Sequence, residues 1–131
     1  MAAAESYPDD LKYHEEHDWA RLEGEEAALG ITWFAADALG ELVHFESPEV
    51  GSSVTKDQSY GEVESVKAVS DLIAPLSGEV LAVNEQVLDA PETVNEDPYG
   101  NGWLIRIRLA DPGEVDALLD AEAYRQVLAE Q

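Results

Sequence analysis

The alternation of apolar and polar residues is clearest between Gly61 and Gly78. Glu62-Val63-Glu64-Ser65-Val66 and Val69-Ser70-Asp71-Leu72 both follow the period of two that marks a half-buried strand. The pattern predicts two strands meeting at a hairpin tip, with Lys67 at its centre between Val66 and Ala68. A first hairpin is predicted upstream. The run from Tyr13 to Glu23 ends in strand-like alternation, Gly24-Glu25-Glu26 forms a turn, and Ala27-Ala28-Leu29-Gly30-Ile31 returns. Thr32 to Leu39 reads as a short helix, with Thr32 as N-cap, Gly40 closing it, and Phe34, Ala35, Ala38 and Leu39 as its apolar stripe. Residues 1–12 read as a polar, flexible lead-in. From Asp111 the period lengthens to that of helices, giving a helical tail over 113–131. Its stripes are Val115, Leu118 and Leu119, then Ala123, Tyr124, Val127 and Leu128, with Asp120 as a candidate N-cap. The tail is expected to dock on the strands and cover an edge.

A weak internal repeat shapes the architecture. Gly40-Glu41-Leu42-Val43 reappears as Gly78-Glu79-Val80-Leu81, and Val54 to Gly61 echoes Val94 to Gly100. Two units are too few for a solenoid. A pseudo-two-fold pair, with strands interleaved into one sandwich or flattened barrel, buries both copies. Lys67 falls between the copies, at one end of that barrel. Asn95 to Ile105 makes a turn feeding a strand, with Tyr99 and Trp103 packing over the barrel end.

Length and composition narrow the class. The chain has 131 residues and is 45% hydrophobic, enough for one folded domain over 1–131 with a modest core. Seven Lys and Arg stand against 29 Asp and Glu, a formal charge of -22. That balance disfavours nucleic acid and anionic membrane surfaces. The acidity serves solubility or steers the chain toward basic partner surfaces. With no cysteine, no disulfide, thiol enzyme or cysteine metal site is available, so any dithiol must come from a prosthetic group. No apolar run is long enough to span a membrane, and Met1 to Ser6 lacks a signal-peptide pattern. The expected location is cytoplasmic, with a processed mitochondrial form as the alternative.

Candidate chemistry centres on Lys67. A lone lysine at a hairpin tip is either a solvated charge that stops edge pairing or a displayed amine awaiting acylation. Spacing does not choose between them. His14 and His17, with Glu15 and Glu16, invite a metal reading, but an extended stretch sends positions i and i+3 to opposite sides, so no metal site is expected. Asn95-Glu96-Asp97 lacks the rest of a calcium loop. There is no phosphate-cradling glycine loop and no nucleophile elbow, so no catalytic residue is expected.

Glu64-Ser65-Val66-Lys67-Ala68-Val69-Ser70-Asp71, then Ala74-Pro75 and Ser77-Gly78-Glu79-Val80, resembles the lipoyl-lysine segment of the glycine cleavage system H protein family. His17-Asp18-Trp19, Asn95 to Ile105, and the closing Leu118-Leu119-Asp120-Ala121 with its following tyrosine match the same family. Asp18 stands where the family usually has glutamate, and Trp33-Phe34 replaces its acidic-aromatic pair; Trp33 is either core or a partner-facing aromatic. The resemblance implies a mainly β barrel-sandwich hybrid carrying lipoate in amide linkage on Lys67. It implies a non-catalytic carrier that takes an aminomethyl group from the pyridoxal-phosphate (PLP) glycine decarboxylase to the tetrahydrofolate-dependent aminomethyltransferase. Reoxidation falls to the FAD enzyme dihydrolipoamide dehydrogenase, and loading to a lipoyl/octanoyl transferase or a lipoate ligase. Asp18 is expected near a surface cavity that receives the arm. Glu64, Ser65 and Asp71, flanking the tip, are expected to help the loading enzyme read the site. Two related readings remain. A biotin carrier normally has methionines beside its lysine, and here they are Val66 and Ala68. An H-like relay that passes lipoate to other lipoyl proteins shares all of these features.

Overall fold

The computed structural model describes residues 2–131; Met1, the first residue of the expected lead-in, lies outside them. The chain is mainly β, in two antiparallel sheets that do not close into a barrel. Strands β1 (Lys12–Tyr13), β2 (Asp18–Glu23) and β3 (Glu26–Ile31) form the opening meander. Helix α1 (Trp33–Leu39) leads to β4 (Leu42–Glu46), β5 (Ser53–Val54), β6 (Ser59–Ser65), β7 (Val69–Ile73) and β8 (Gly78–Val83). Helices α2 (Glu85–Asp89) and α3 (Thr93–Glu96) precede β9 (Ile105–Leu109); a 3-10 turn (Pro112–Ala117) and α4 (Ala121–Ala129) end the chain. The larger sheet runs β1-β2-β3-β9-β8-β5 and the smaller one β4-β6-β7.

The expected repeat is visible in the pairing. β4 pairs with β6 as β8 pairs with β9, and β5 from the first copy joins β8 from the second. The copies differ between those strands. The first has β5 and a turn, whereas the second has α2 and α3, which the alternation does not predict.

The sheets face each other over one apolar layer that includes Leu29, Val63, Leu72, Val80 and Ile107. From Ala27 to Ile31 strand β3 is buried on both faces, and that stretch is apolar throughout rather than alternating. Its other face meets a second cluster built on Tyr13, Trp19, Ala28, Tyr99 and Tyr124. Trp19 lies opposite Gly30 in the β2–β3 register, and a Cβ on Gly30 would sit 2.5 Å from the Trp19 ring. Only glycine leaves room for the indole, whose Nε1 donates to the Pro98 carbonyl at 3.0 Å.

The second cluster corrects the lead-in expected over residues 1–12. Tyr7 and Leu11 are buried, the Ala3 amide donates to Asn95 at 3.0 Å, and the Tyr13 hydroxyl donates to Pro8 at 2.6 Å. These few apolar residues carry no period, and their burial depends on α4. Tyr124 of α4 stacks on Tyr13 with centroids 4.8 Å apart, and its hydroxyl lies 2.8 Å from Thr32 Oγ1. Asp120 caps α4 as expected, accepting from the Ala123 amide at 2.8 Å. The α1 stripe holds at Phe34, Ala35 and Leu39, which pack against the two clusters, and differs at one position. Thr32 caps the helix, but Ala36 is its buried residue and Ala38 is exposed. His14 to His17 is a turn rather than an extended run. The His17 amide donates to the His14 carbonyl at 2.9 Å, and His17 adopts φ 77°. Among the described residues no helix is long and apolar enough to cross a membrane.

Candidate functional site

Strands β6 and β7 form the predicted hairpin, with Glu64 paired to Val69 and Glu62 to Asp71. Val66, Lys67 and Ala68 make its tip, and all three are exposed. None has a positive φ, so the loop closes without a glycine. The Ser65 amide donates to the Ala68 carbonyl at 2.8 Å, closing the ladder below the tip. The Ser65 hydroxyl accepts from the Lys67 amide at 3.3 Å and the Ala68 amide at 3.2 Å. Among the described residues, the Lys67 ammonium has no hydrogen bond and no ion pair. The Lys12 ammonium is likewise without either, whereas Lys56 bonds Asp57, Arg106 bonds Glu23 and Glu26, and Arg108 bonds Glu79.

The Lys67 stem runs past the end of α1. Gly40 adopts φ 85°, and a Cβ there would lie 3.5 Å from Lys67 Cε. That corner is fixed by Asn95, whose Nδ2 donates to the Gly40 carbonyl at 2.9 Å and whose Oδ1 accepts from the Leu42 amide at 3.0 Å. No local pattern in the chain points to this role. Within its turn Asn95 resembles a calcium ligand, whereas its side chain bridges residues more than fifty positions away. Asp97 closes its own loop instead, accepting from the Gly100 and Asn101 amides.

The other candidates separate. Glu64 and Asp71 are exposed on the outer face of the hairpin. Ser65 is buried, at 4% exposure, on the inner face. Asp18 is not at a surface. It is 2% exposed, takes a hydrogen bond from the Ile73 amide, and leaves Oδ2 without a partner. Ile73 is at the far end of β7, six residues from Lys67, or about 20 Å at strand rise. Burial pushes the Asp18 carboxyl well above the usual range; the Ile73 bond works against this, and nearby Glu16 reinforces it. The Tyr60 hydroxyl is a second buried group with no partner, and burial and the Asp18 charge push it up. The two histidines go to different partners: His14 Nε2 to Asp57 at 2.7 Å and His17 Nδ1 to the Tyr124 hydroxyl at 2.8 Å. Trp33 packs against the second cluster and donates from Nε1 to Ala3 at 2.8 Å.

A lysine amine displayed at the tip of a hydrogen-bonded hairpin, on a two-sheet scaffold, is the arrangement of a carrier domain. The exposed tip leaves Nζ free to bear an acyl group. Comparison with known proteins then narrows the class. The profile of the glycine cleavage H-protein family matches residues 11–131. The chain is 52% identical over 124 residues to the glycine cleavage system H protein of Anaeromyxobacter sp. (strain K), spanning 95% of this chain and 97% of that one. It is 52% identical over 117 residues to the H protein of Symbiobacterium thermophilum, covering 89% and 91% of the two chains. The crystal structure of an H protein from Mycobacterium marinum superposes with a TM-score of 0.86 at 42% identity, covering 93% of this chain and 98% of that one. The chain belongs to the glycine cleavage H-protein family, the lipoyl carrier of the glycine cleavage system. Members of this family carry; they do not catalyse on their own.

Proposed function

We propose that Lys67 is the lipoyl attachment residue and that the loaded chain serves three enzymes in turn, in the cytoplasm. These are a PLP-dependent glycine decarboxylase, a tetrahydrofolate-dependent aminomethyltransferase and a FAD-dependent dihydrolipoamide dehydrogenase. The observation that carries the reading is the unpaired Lys67 amine at the tip of a hydrogen-bonded hairpin. In loading, the Lys67 ammonium first loses a proton; the free amine then bonds the acyl carbon and gives up a second proton as AMP leaves an acyl-adenylate or the carrier thiol leaves a thioester. A lipoate ligase or a lipoyl/octanoyl transferase supplies that donor. When bound, the dithiolane supplies the redox-active sulfurs that hold the one-carbon unit. The chain itself contributes presentation, because a tether raises the effective concentration of the arm at each partner. It has no cysteine to exchange with the dithiolane. Glu64 and Asp71, exposed beside the tip, give the loading enzyme charged groups to read. Asp18 contacts the arm only if the seam between β2 and β7 opens, since its carboxyl is enclosed.

Reconstitution tests the reading. The loaded chain should support exchange of labelled carbon dioxide into glycine by the decarboxylase, and Lys67→Arg should not. Transfer of lipoate to a second lipoyl protein, with no exchange, would favour the relay instead.

A further inference from the structure

We infer that Ser65 is a positioning residue, one that fixes the Val66–Lys67 turn from beneath and so sets where the Lys67 amine stands for the enzyme that loads it. The inference rests on the assignment of Lys67 above. The hydroxyl offers one donor and two acceptor sites. Both acceptor sites are used inside the turn, by the Lys67 amide at 3.3 Å and the Ala68 amide at 3.2 Å. Its proton reaches the Ala68 carbonyl at 3.4 Å. At 4% exposure, Ser65 has no free group to show an incoming enzyme. It therefore acts through Lys67, unlike Glu64 and Asp71, which face solvent.

The need for such a lock follows from the tip itself. Val66 is 88% exposed and Val69 59%, so neither anchors the loop by burial. No residue of the tip takes the left-handed conformation of a two-residue primed turn. Between Ser65 and Val69 the only cross-strand backbone bond is the Ser65 amide to the Ala68 carbonyl. The Lys67 and Ala68 amides have the Ser65 hydroxyl as their acceptor, and without it they turn to water in many orientations. A ligand site populated for only a fraction of the time loses apparent affinity by that fraction. The cost should therefore fall on KM for loading, with kcat retained.

The test compares wild type, Ser65→Ala and Ser65→Thr as substrates of a lipoate ligase with lipoate and ATP, with the modified peptide mapped in each. Amide exchange at Lys67 and Ala68 and thermal unfolding are measured alongside. Ser65→Ala should stay folded, exchange both amides at least about tenfold faster, and raise KM about tenfold with kcat within twofold, the scale of one lost hydrogen bond. Ser65→Thr, which keeps the hydroxyl, should recover most of the loss. Wild-type KM in Ser65→Ala would overturn the inference. So would a fall in kcat at constant KM, or amide exchange unchanged while loading slows. If the wild type itself is loaded at a residue other than Lys67, it is the attachment site that fails, and the peptide map separates that result from the others.

Discussion

His14 Nε2 lies 2.7 Å from Asp57 Oδ1 and joins the turn before β2 to the turn before β6, 43 residues apart. His14 Nδ1 accepts from the Glu16 amide at 3.0 Å, which assigns the ring proton to Nε2 and makes that nitrogen the donor to Asp57. The hydrogen bond from His14, then that from Lys56, hold the Asp57 carboxyl below its usual range. Such a carboxyl adds stability above its unfolded value, about 3.9, and loses it as pH falls through the lower folded value. Wild type should therefore melt above Asp57→Asn at neutral pH, and the gap should close as pH drops from about 5 toward about 3. Asparagine tolerates the φ of 72° at this position, so backbone strain does not confound the comparison. A gap independent of pH would contradict this account.

Asp18 gives the opposite sign. Burial raises its folded value, so the stability it allows is complete below the unfolded value and is lost as pH rises through the folded one. Asp18→Asn keeps the shape and cannot ionise. It should melt close to wild type at about pH 4 and increasingly above it toward about pH 8. Thermal scans across that range check the trend, and a mutant less stable than wild type at the alkaline end would refute it.

Tyr124 ties α4 to the opening hairpin. Its hydroxyl is 2.8 Å from both Thr32 Oγ1 and His17 Nδ1, and the ring is buried. Tyr124→Phe retains the ring and leaves these groups short of a partner, at a cost of about 1–2 kcal/mol. Urea unfolding measures this directly. A change below about 0.3 kcal/mol would mean that the ring alone holds the helix.

A formal charge of -22 makes association with basic partner surfaces sensitive to salt. Raising ionic strength from about 0.05 to about 0.5 M should raise the KM of each partner enzyme for the loaded chain several-fold, with kcat changing far less. Salt-independent KM values would return the acidity to a role in solubility.

The sequence revealed what has a period or a motif. Alternation found β6, β7 and the tip that carries Lys67, while polar caps found the starts of α1 and α4 at Thr32 and Asp120. The family motif supplied the proposed role of Lys67, which spacing alone left open. What stayed hidden depends on distant partners. Tyr7 and Leu11 are core residues only because Tyr124 and the face of β3 cover them. Asp18 reads as a surface acid until the β7 backbone is seen to close over it. Ser65 is the intermediate case. A serine at a turn suggests a side-chain bond to local backbone, but both its partners and its burial come from the folded hairpin.

Intact mass, with peptide mapping, tests the central claim most directly. Wild type and Lys67→Arg are expressed in cells supplied with lipoate that also load a known lipoyl carrier. One lipoyl group on the peptide containing Lys67, and none on the variant, is the predicted result. An unmodified wild type in those cells, or a variant that still gains the group, would contradict the assignment of Lys67 as the residue that carries the arm.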